Sequence, residues 1–165
     1  MDKIPNSIGN TSILQIERRV AFLSSQRVAS QDIIRCYDWA TQVRNAQDIC
    51  VMSGFQSALE KEVLRYLLRG SVPIILVLAR SMWKKVPEEL KPHLENGRLT
   101  IVSPVTSPRA SRETAQKRNK WILQYCTSVV LGTITPKGML DSLLEHFPQL
   151  KKLRLDEETI SKMKA

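Results

Sequence analysis

The sequence predicts an α/β protein, doubly wound, with a mainly parallel sheet of about five strands and helices on both faces. Three observations carry this. Short β-branched apolar runs recur every 25 to 30 residues, amphipathic segments of helix length separate them, and small, hydroxyl or cationic residues follow nearly every run. Strands spaced in this way require right-handed βαβ crossovers, which bury a parallel sheet between helical layers.

Val20 to Leu23 reads as the first strand, followed by a helix from about Ser30 to Val43. Ile49 to Met52 is the second, followed by a helix from Ser57 to about Arg69, and Ile74 to Leu78 is the third. A Pro-broken region around Val86-Pro87 and the turn Glu95-Asn96-Gly97-Arg98 lead to a fourth strand, Leu99 to Val102. A helix from Ser111 to Tyr125, a fifth strand at Val129 to Leu131 and a helix from Met139 to Phe147 complete the pattern. The domain is expected to span residues 18–148, with an N-terminal extension at 1–17 and a mixed basic and acidic tail at 149–165.

With 165 residues the chain suits one domain with a packed core. The longest apolar run, Pro73 to Ala79, is far short of the roughly 20 residues that cross a bilayer, and Met1 to Thr11 lacks a basic start followed by an apolar stretch. The expectation is a cytoplasmic protein with no membrane partner. Cys36, Cys50 and Cys126 lie in apolar patterns and read as buried residues of a reducing compartment. Neither His93 nor His146 has the partner spacing of a metal site or a nucleophile triad, and no GxxxxGK[ST] loop occurs. No metal, cofactor or catalytic set is indicated.

A net charge of +9 favours an anionic partner. It is densest between Arg109 and Lys120, where Arg109, Arg112, Lys117, Arg118 and Lys120 face Glu113 alone. In an open parallel sheet the ligand crevice lies beyond the carboxyl ends of the strands, where helix N-termini converge. The loops to inspect are therefore Ser24-Ser25-Gln26-Arg27, Ser53-Gly54-Phe55-Gln56-Ser57, Arg80-Ser81, Ser103 to Arg109 and Gly132 to Gly138.

Ser57-Ala58-Leu59-Glu60 matches a capping box, which explains Ser57 and Glu60 without any ligand. Gly54 fits a tight turn or a positive φ. Ser53, Gly54 and Gln56 are left over by the cap, so a structural turn and an anion cradle both stand. On the helix after Ser111, the residues Ala115, Asn119, Ile122 and Cys126 form one stripe, placing Asn119 inward with Arg118 beside it. Buried polar groups need partners, so this pair either braces the Ser53 and Gly132 loops or binds a ligand. Lys137, between Pro136 and Gly138, is either a turn lysine or a point charge for a phosphate.

The segments SGFQSALEKEVLRYLLRG, PIILVLAR, GRLTIVSP and AQKRN, in this order, resemble the DNA-processing protein A (DprA, also Smf) family, within the wider Rossmann-like group that includes the LOG nucleotide hydrolases. The resemblance covers about residues 18–133. It implies a Rossmann-like domain that binds single-stranded DNA through a basic pocket, assembles as a homodimer and helps load a recombinase. Ser24, Ser25, Gln26 and Arg27 resemble the family's first phosphate-contacting loop, and Ser53, Gly54, Phe55, Gln56 and Ser57 its second. Arg80, Arg118 and Asn119 would complete the pocket. The first loop reads SSQR instead of a glycine-led GSR, and Leu59-Glu60 replaces a glycine common in the family.

The alternative of a small-nucleotide sensor or a LOG-like hydrolase stands beside it. LOG enzymes use a PGGxGT segment followed by a glutamate, whereas this chain has Gly132-Thr133-Ile134-Thr135-Pro136-Lys137-Gly138 there and lacks the glutamate. A third reading is a protein-interaction scaffold with a vestigial crevice. Trp39, Trp83 and Trp121 are dispersed, and no stacking platform is legible in them.

Overall fold

A computed structural model describes residues 5–26 and 29–155. Among these residues seven strands form one sheet: β1 (Asn6–Gly9), β2 (Arg18–Leu23), β3 (Ile49–Ser53), β4 (Ile74–Val77), β5 (Leu99–Ser103), β6 (Ser128–Leu131) and β7 (Lys151–Arg154). Among the described residues five α-helices accompany them: α1 (Ser30–Val43), α2 (Ala58–Leu68), the short α3 (Lys91–Glu95), α4 (Arg112–Tyr125) and α5 (Met139–Leu144). The spatial order is β1-β5-β4-β3-β2-β6-β7, parallel throughout except for β1, which runs antiparallel to β5.

The α/β class and the five inner strands agree with the sequence reading, whereas the sheet has seven strands instead of about five. Both additions come from the segments read as an extension and a tail. Their sequences, NSIG and KKLR, contain no apolar run of their own. They become strands because the edges of β5 and β6 offer unpaired backbone groups that must be satisfied.

The inner strands are buried on both faces, and successive residues point to opposite cores. Ile74 and Leu76 join Phe22, Val51 and Ile101 beneath α1 and α2. Ile75 and Val77 join Leu23, Met52 and Leu131 beneath α4 and α5. Each fully buried aliphatic or aromatic side chain here contributes roughly 1.5–3 kcal/mol relative to exposure, so the double-sided burial is what holds the parallel sheet.

The end of α2 is secured from a distance. Its last carbonyls lack helical partners, and the buried Arg98 guanidinium donates to the carbonyl oxygens of Leu67, Leu68, Gly70 and Val72 at 3.0, 3.1, 2.6 and 2.6 Å. The chain leaves β2 towards one face through α1 and leaves β6 towards the other through α5, so the two strands flank the topological switch point.

Candidate nucleic-acid interface

Ser24, Ser53, Ser103 and Gly132 all sit at the carboxyl ends of parallel strands, along one edge of the sheet. Several of the loop hydroxyls are already engaged there. Ser24 is buried, and its Oγ accepts from the Thr133 amide at 3.2 Å. Ser25 donates its amide to the Thr133 carbonyl at 2.8 Å, and its Oγ accepts from the Thr135 amide at 2.8 Å. These bonds stitch the β2 and β6 loops together. Ser53 is fully buried and accepts from the Phe55 amide at 3.2 Å, so it shapes the turn from within.

The turn itself differs from the expectation. Gly54 does not take a positive φ; Phe55 does, at 45°. Gly54 is needed for space, because a Cβ there would lie 2.1 Å from Nη1 of Arg118. The capping box that follows is present as read. Ser57 Oγ accepts from the Glu60 amide at 3.2 Å, while Glu60 Oε1 accepts from the amides of Gln56 and Ser57, each at 3.1 Å.

Arg118 is the centre of the arrangement. It is buried with Thr114 on the flank of the face of α4 that also buries Asn119, Ile122 and Leu123. Only 6% exposed, Arg118 donates from Nε to Asn119 Oδ1 at 2.7 Å and from Nη1 to the Val77 carbonyl at 3.3 Å. Burial pushes the guanidinium down from its ordinary value, and the neighbouring Glu60 carboxylate acts against that shift. Asn119 turns its amide nitrogen towards Met139 Sδ at 3.9 Å.

Arg118 divides the crevice in two. On one side is a cleft of about 630 Å³ lined by Ser24, Ser25 and Gln26 of the β2 loop, Gln56, Ser57 and Glu60 of α2's start, Arg112 and Asn119 of α4, and Thr135, Gly138, Met139 and Leu140. On the other is a more apolar cleft of about 410 Å³, lined by Gly54, Phe55, Leu78 and Trp83 together with the charged Lys61, Arg65, Arg80 and Glu89. Gln56 and Arg118 line both.

The sequence-predicted residues thus separate into groups. Ser24, Ser25, Gln26, Gln56, Ser57, Arg118 and Asn119 share the larger cleft, and Gly54, Phe55 and Arg80 line the smaller. Ser53 lies beneath the turn and lines neither. Lys137 is exposed at φ 62°, donates its amide to Asp141 Oδ2 at 2.8 Å, and also lines neither cleft. Arg27 lies outside the described residues. Within the cluster from Arg109 to Lys120, Arg118 is buried and Lys117 pairs with Glu113 at 3.5 Å, which leaves the exposed Arg112 as the cluster's solvent-facing cation at the larger cleft.

Sequence reasoning missed Trp83, Glu60, Lys61 and Arg65 as cleft residues. Trp39 stacks on Phe22 in the core and Trp121 on Tyr125, but Trp83 reaches the apolar cleft beside Arg80. Glu60 lines the larger cleft as well as closing the cap. A lone Trp in a Pro-broken loop carries no local signal, and a capping glutamate looks complete in sequence.

Fold and site together define a Rossmann-like α/β domain whose crevice is built from strand-end loops and the first turns of two helices. The solved structures place it more narrowly, in the fold of the DNA processing proteins A. The structure of DNA processing protein A (DprA) from Streptococcus pneumoniae is similar over 96% of this chain with a TM-score of 0.67 and 14% identity, and the chain spans 59% of that protein's length. DNA processing protein A from Helicobacter pylori, studied for its unique single-stranded DNA binding mode, is similar over 99% of this chain and 94% of its own, with a TM-score of 0.64 and 12% identity. The molybdenum cofactor binding protein from Rippkaea orientalis shares the fold at a TM-score of 0.56 and 10% identity, covering 88% of this chain and 82% of its own. No family profile and no curated protein sequence matches the chain.

Among the described residues, no group of three or more His, Cys, Asp or Glu is arranged to hold a metal ion, and no helix is long and apolar enough to cross a membrane.

Proposed function

We propose that this protein binds single-stranded DNA, or another phosphate-bearing nucleic acid, across the two clefts on either side of Arg118. The observation that carries the reading is Arg118 itself. A guanidinium 6% exposed has been taken out of water at considerable cost, yet it holds only one neutral side chain and one carbonyl as hydrogen-bond partners. Nη2 is left without a partner among the described residues, at the wall common to both clefts.

The surroundings suit a strand. Arg112 on one side and Lys61 and Arg80 on the other provide cations for successive phosphates, Arg65 being paired with Glu62, and Trp83 in the apolar cleft provides a face for a base. The likeness in fold to the Helicobacter pylori protein supports the same assignment. Assembly as a homodimer, work beside a recombinase, and a cytoplasmic role in DNA processing, uptake or recombination belong to this proposal through the family resemblance.

A second reading, a small-nucleotide sensor or LOG-like hydrolase, draws on cleft size. Volumes of about 410 and 630 Å³ suit one small molecule each. One titration separates the two. A labelled oligonucleotide and the mononucleotides are compared at two salt concentrations. Binding that grows with strand length and falls steeply with salt supports the nucleic-acid reading. Saturable binding of one mononucleotide, with no dependence on length, supports the sensor.

A further inference from the structure

Glu60 places a carboxylate in the larger cleft, whose other polar lining residues are cations, amides and hydroxyls. The residue is 7% exposed and lines the larger cleft. Its two oxygens are used differently. Oε1 accepts both cap amides, whereas Oε2 makes no hydrogen bond among the described residues. A capping box needs only one acceptor at this position, so the cap leaves Oε2 unused. Its charge also acts on Arg118, which borders the same cleft.

A phosphate is repelled by Oε2, so the group seated there must be a hydrogen-bond donor, while the phosphate next to it pairs with Arg112 or Nη2 of Arg118. We infer that Glu60 is a specificity-determining residue, its Oε2 accepting a hydrogen bond from a nucleoside donor, either a sugar hydroxyl or a base amino group, beside a phosphate held by the neighbouring arginines. This rests on the nucleic-acid reading and adds a selective element to it. Arginines that contact phosphate bind every sequence alike, whereas a buried acceptor penalises any nucleoside that leaves it unpaired.

Glu60→Gln tests this without dismantling the cap. Glutamine also satisfies a capping box, its carbonyl taking the place of Oε1 and its NH₂ group standing where Oε2 stood. The free acceptor becomes a donor. Four oligonucleotides of equal length are titrated, oligo-rU against oligo-dU for the 2′-hydroxyl and oligo-dC against oligo-dT for the exocyclic amino group. The wild-type protein is expected to prefer one member of at least one pair by about tenfold, and Glu60→Gln to erase that preference with its melting temperature unchanged. The pair affected identifies the donor. Equal binding of all four by the wild type, a preference that survives in Glu60→Gln, or tighter binding of all four by the variant overturns the inference while leaving the nucleic-acid reading intact. Failure of the wild type to bind any of the four defeats that reading and this inference with it.

Discussion

Gly54 and Arg118 are complementary in shape: a Cβ on the glycine would meet Nη1 at 2.1 Å and Cζ at 2.4 Å, so the absence of a side chain at the end of β3 is what admits the guanidinium from α4. Because Arg118 then bonds Asn119 and the Val77 carbonyl, one small residue joins β3, β4 and α4 at the crevice. Gly54→Ala is expected to displace the guanidinium and cost about 1–3 kcal/mol through the buried polar groups it leaves unpaired. In an Arg118→Ala background the same substitution should cost about 0.5 kcal/mol or less, since its obstacle is gone. Urea titrations of the two single variants and the double variant check this; additive costs would contradict it.

The cap of α2 makes a second, independent prediction. Ser57→Ala removes the acceptor for the Glu60 amide and should lower stability by about 1 kcal/mol with or without ligand. A thermal melt unchanged by the substitution would show that the helix start is held by other contacts.

Arg112 and Arg118 should behave differently in binding. Arg112 is exposed at the larger cleft, so Arg112→Ala should leave the melting temperature unchanged and reduce the slope of log affinity against log salt by about 0.7, the single-strand value for one lost phosphate contact. Arg118→Ala should lower both binding and stability, because the same guanidinium braces the strand ends. An unchanged salt slope in Arg112→Ala would remove it from the phosphate path.

Arg98 should be among the costliest positions outside the site. Lysine keeps the charge but cannot span four carbonyls from one planar group. Arg98→Lys is expected to lose at least about 2 kcal/mol, read as a lower urea midpoint, with oligonucleotide affinity unchanged once folding is saturated. A midpoint equal to the wild type would refute the role given to Arg98 at the end of α2.

The thiols set an alkaline limit. Burial pushes Cys36 and Cys50 up to about 12 and Cys126 to about 11, against an ordinary 9.0. The folded state therefore favours the neutral thiol. That stability is fully present below pH 9 and is lost as pH rises towards 11 to 12, because the unfolded chain releases its protons first. Stability should decline above pH 9 by up to about 1.4 kcal/mol per pH unit for each thiol, and the native protein should react slowly with thiol reagents at pH 8. Rapid modification of all three cysteines under native conditions would show that they are accessible.

Part of this structure is written in local pattern and is legible without coordinates. Double-sided apolar runs such as Ile74 to Val77, recurring between helix-length segments, read as inner parallel strands, and the spacing of Ser57 and Glu60 marks the start of α2. The inward position of Asn119 likewise follows from helical periodicity alone. Tertiary structure decided the rest. NSIG and KKLR are strands only because β5 and β6 present unpaired edges. Gly54 is a glycine because of a side chain 64 positions further on, not because of its own φ. Trp83 and the second oxygen of Glu60 meet the crevice through contacts between loops distant in the chain. The physical reason is range: propensity, capping and periodicity act within a few residues, whereas which polar atom is left unpartnered depends on every segment that folds against it.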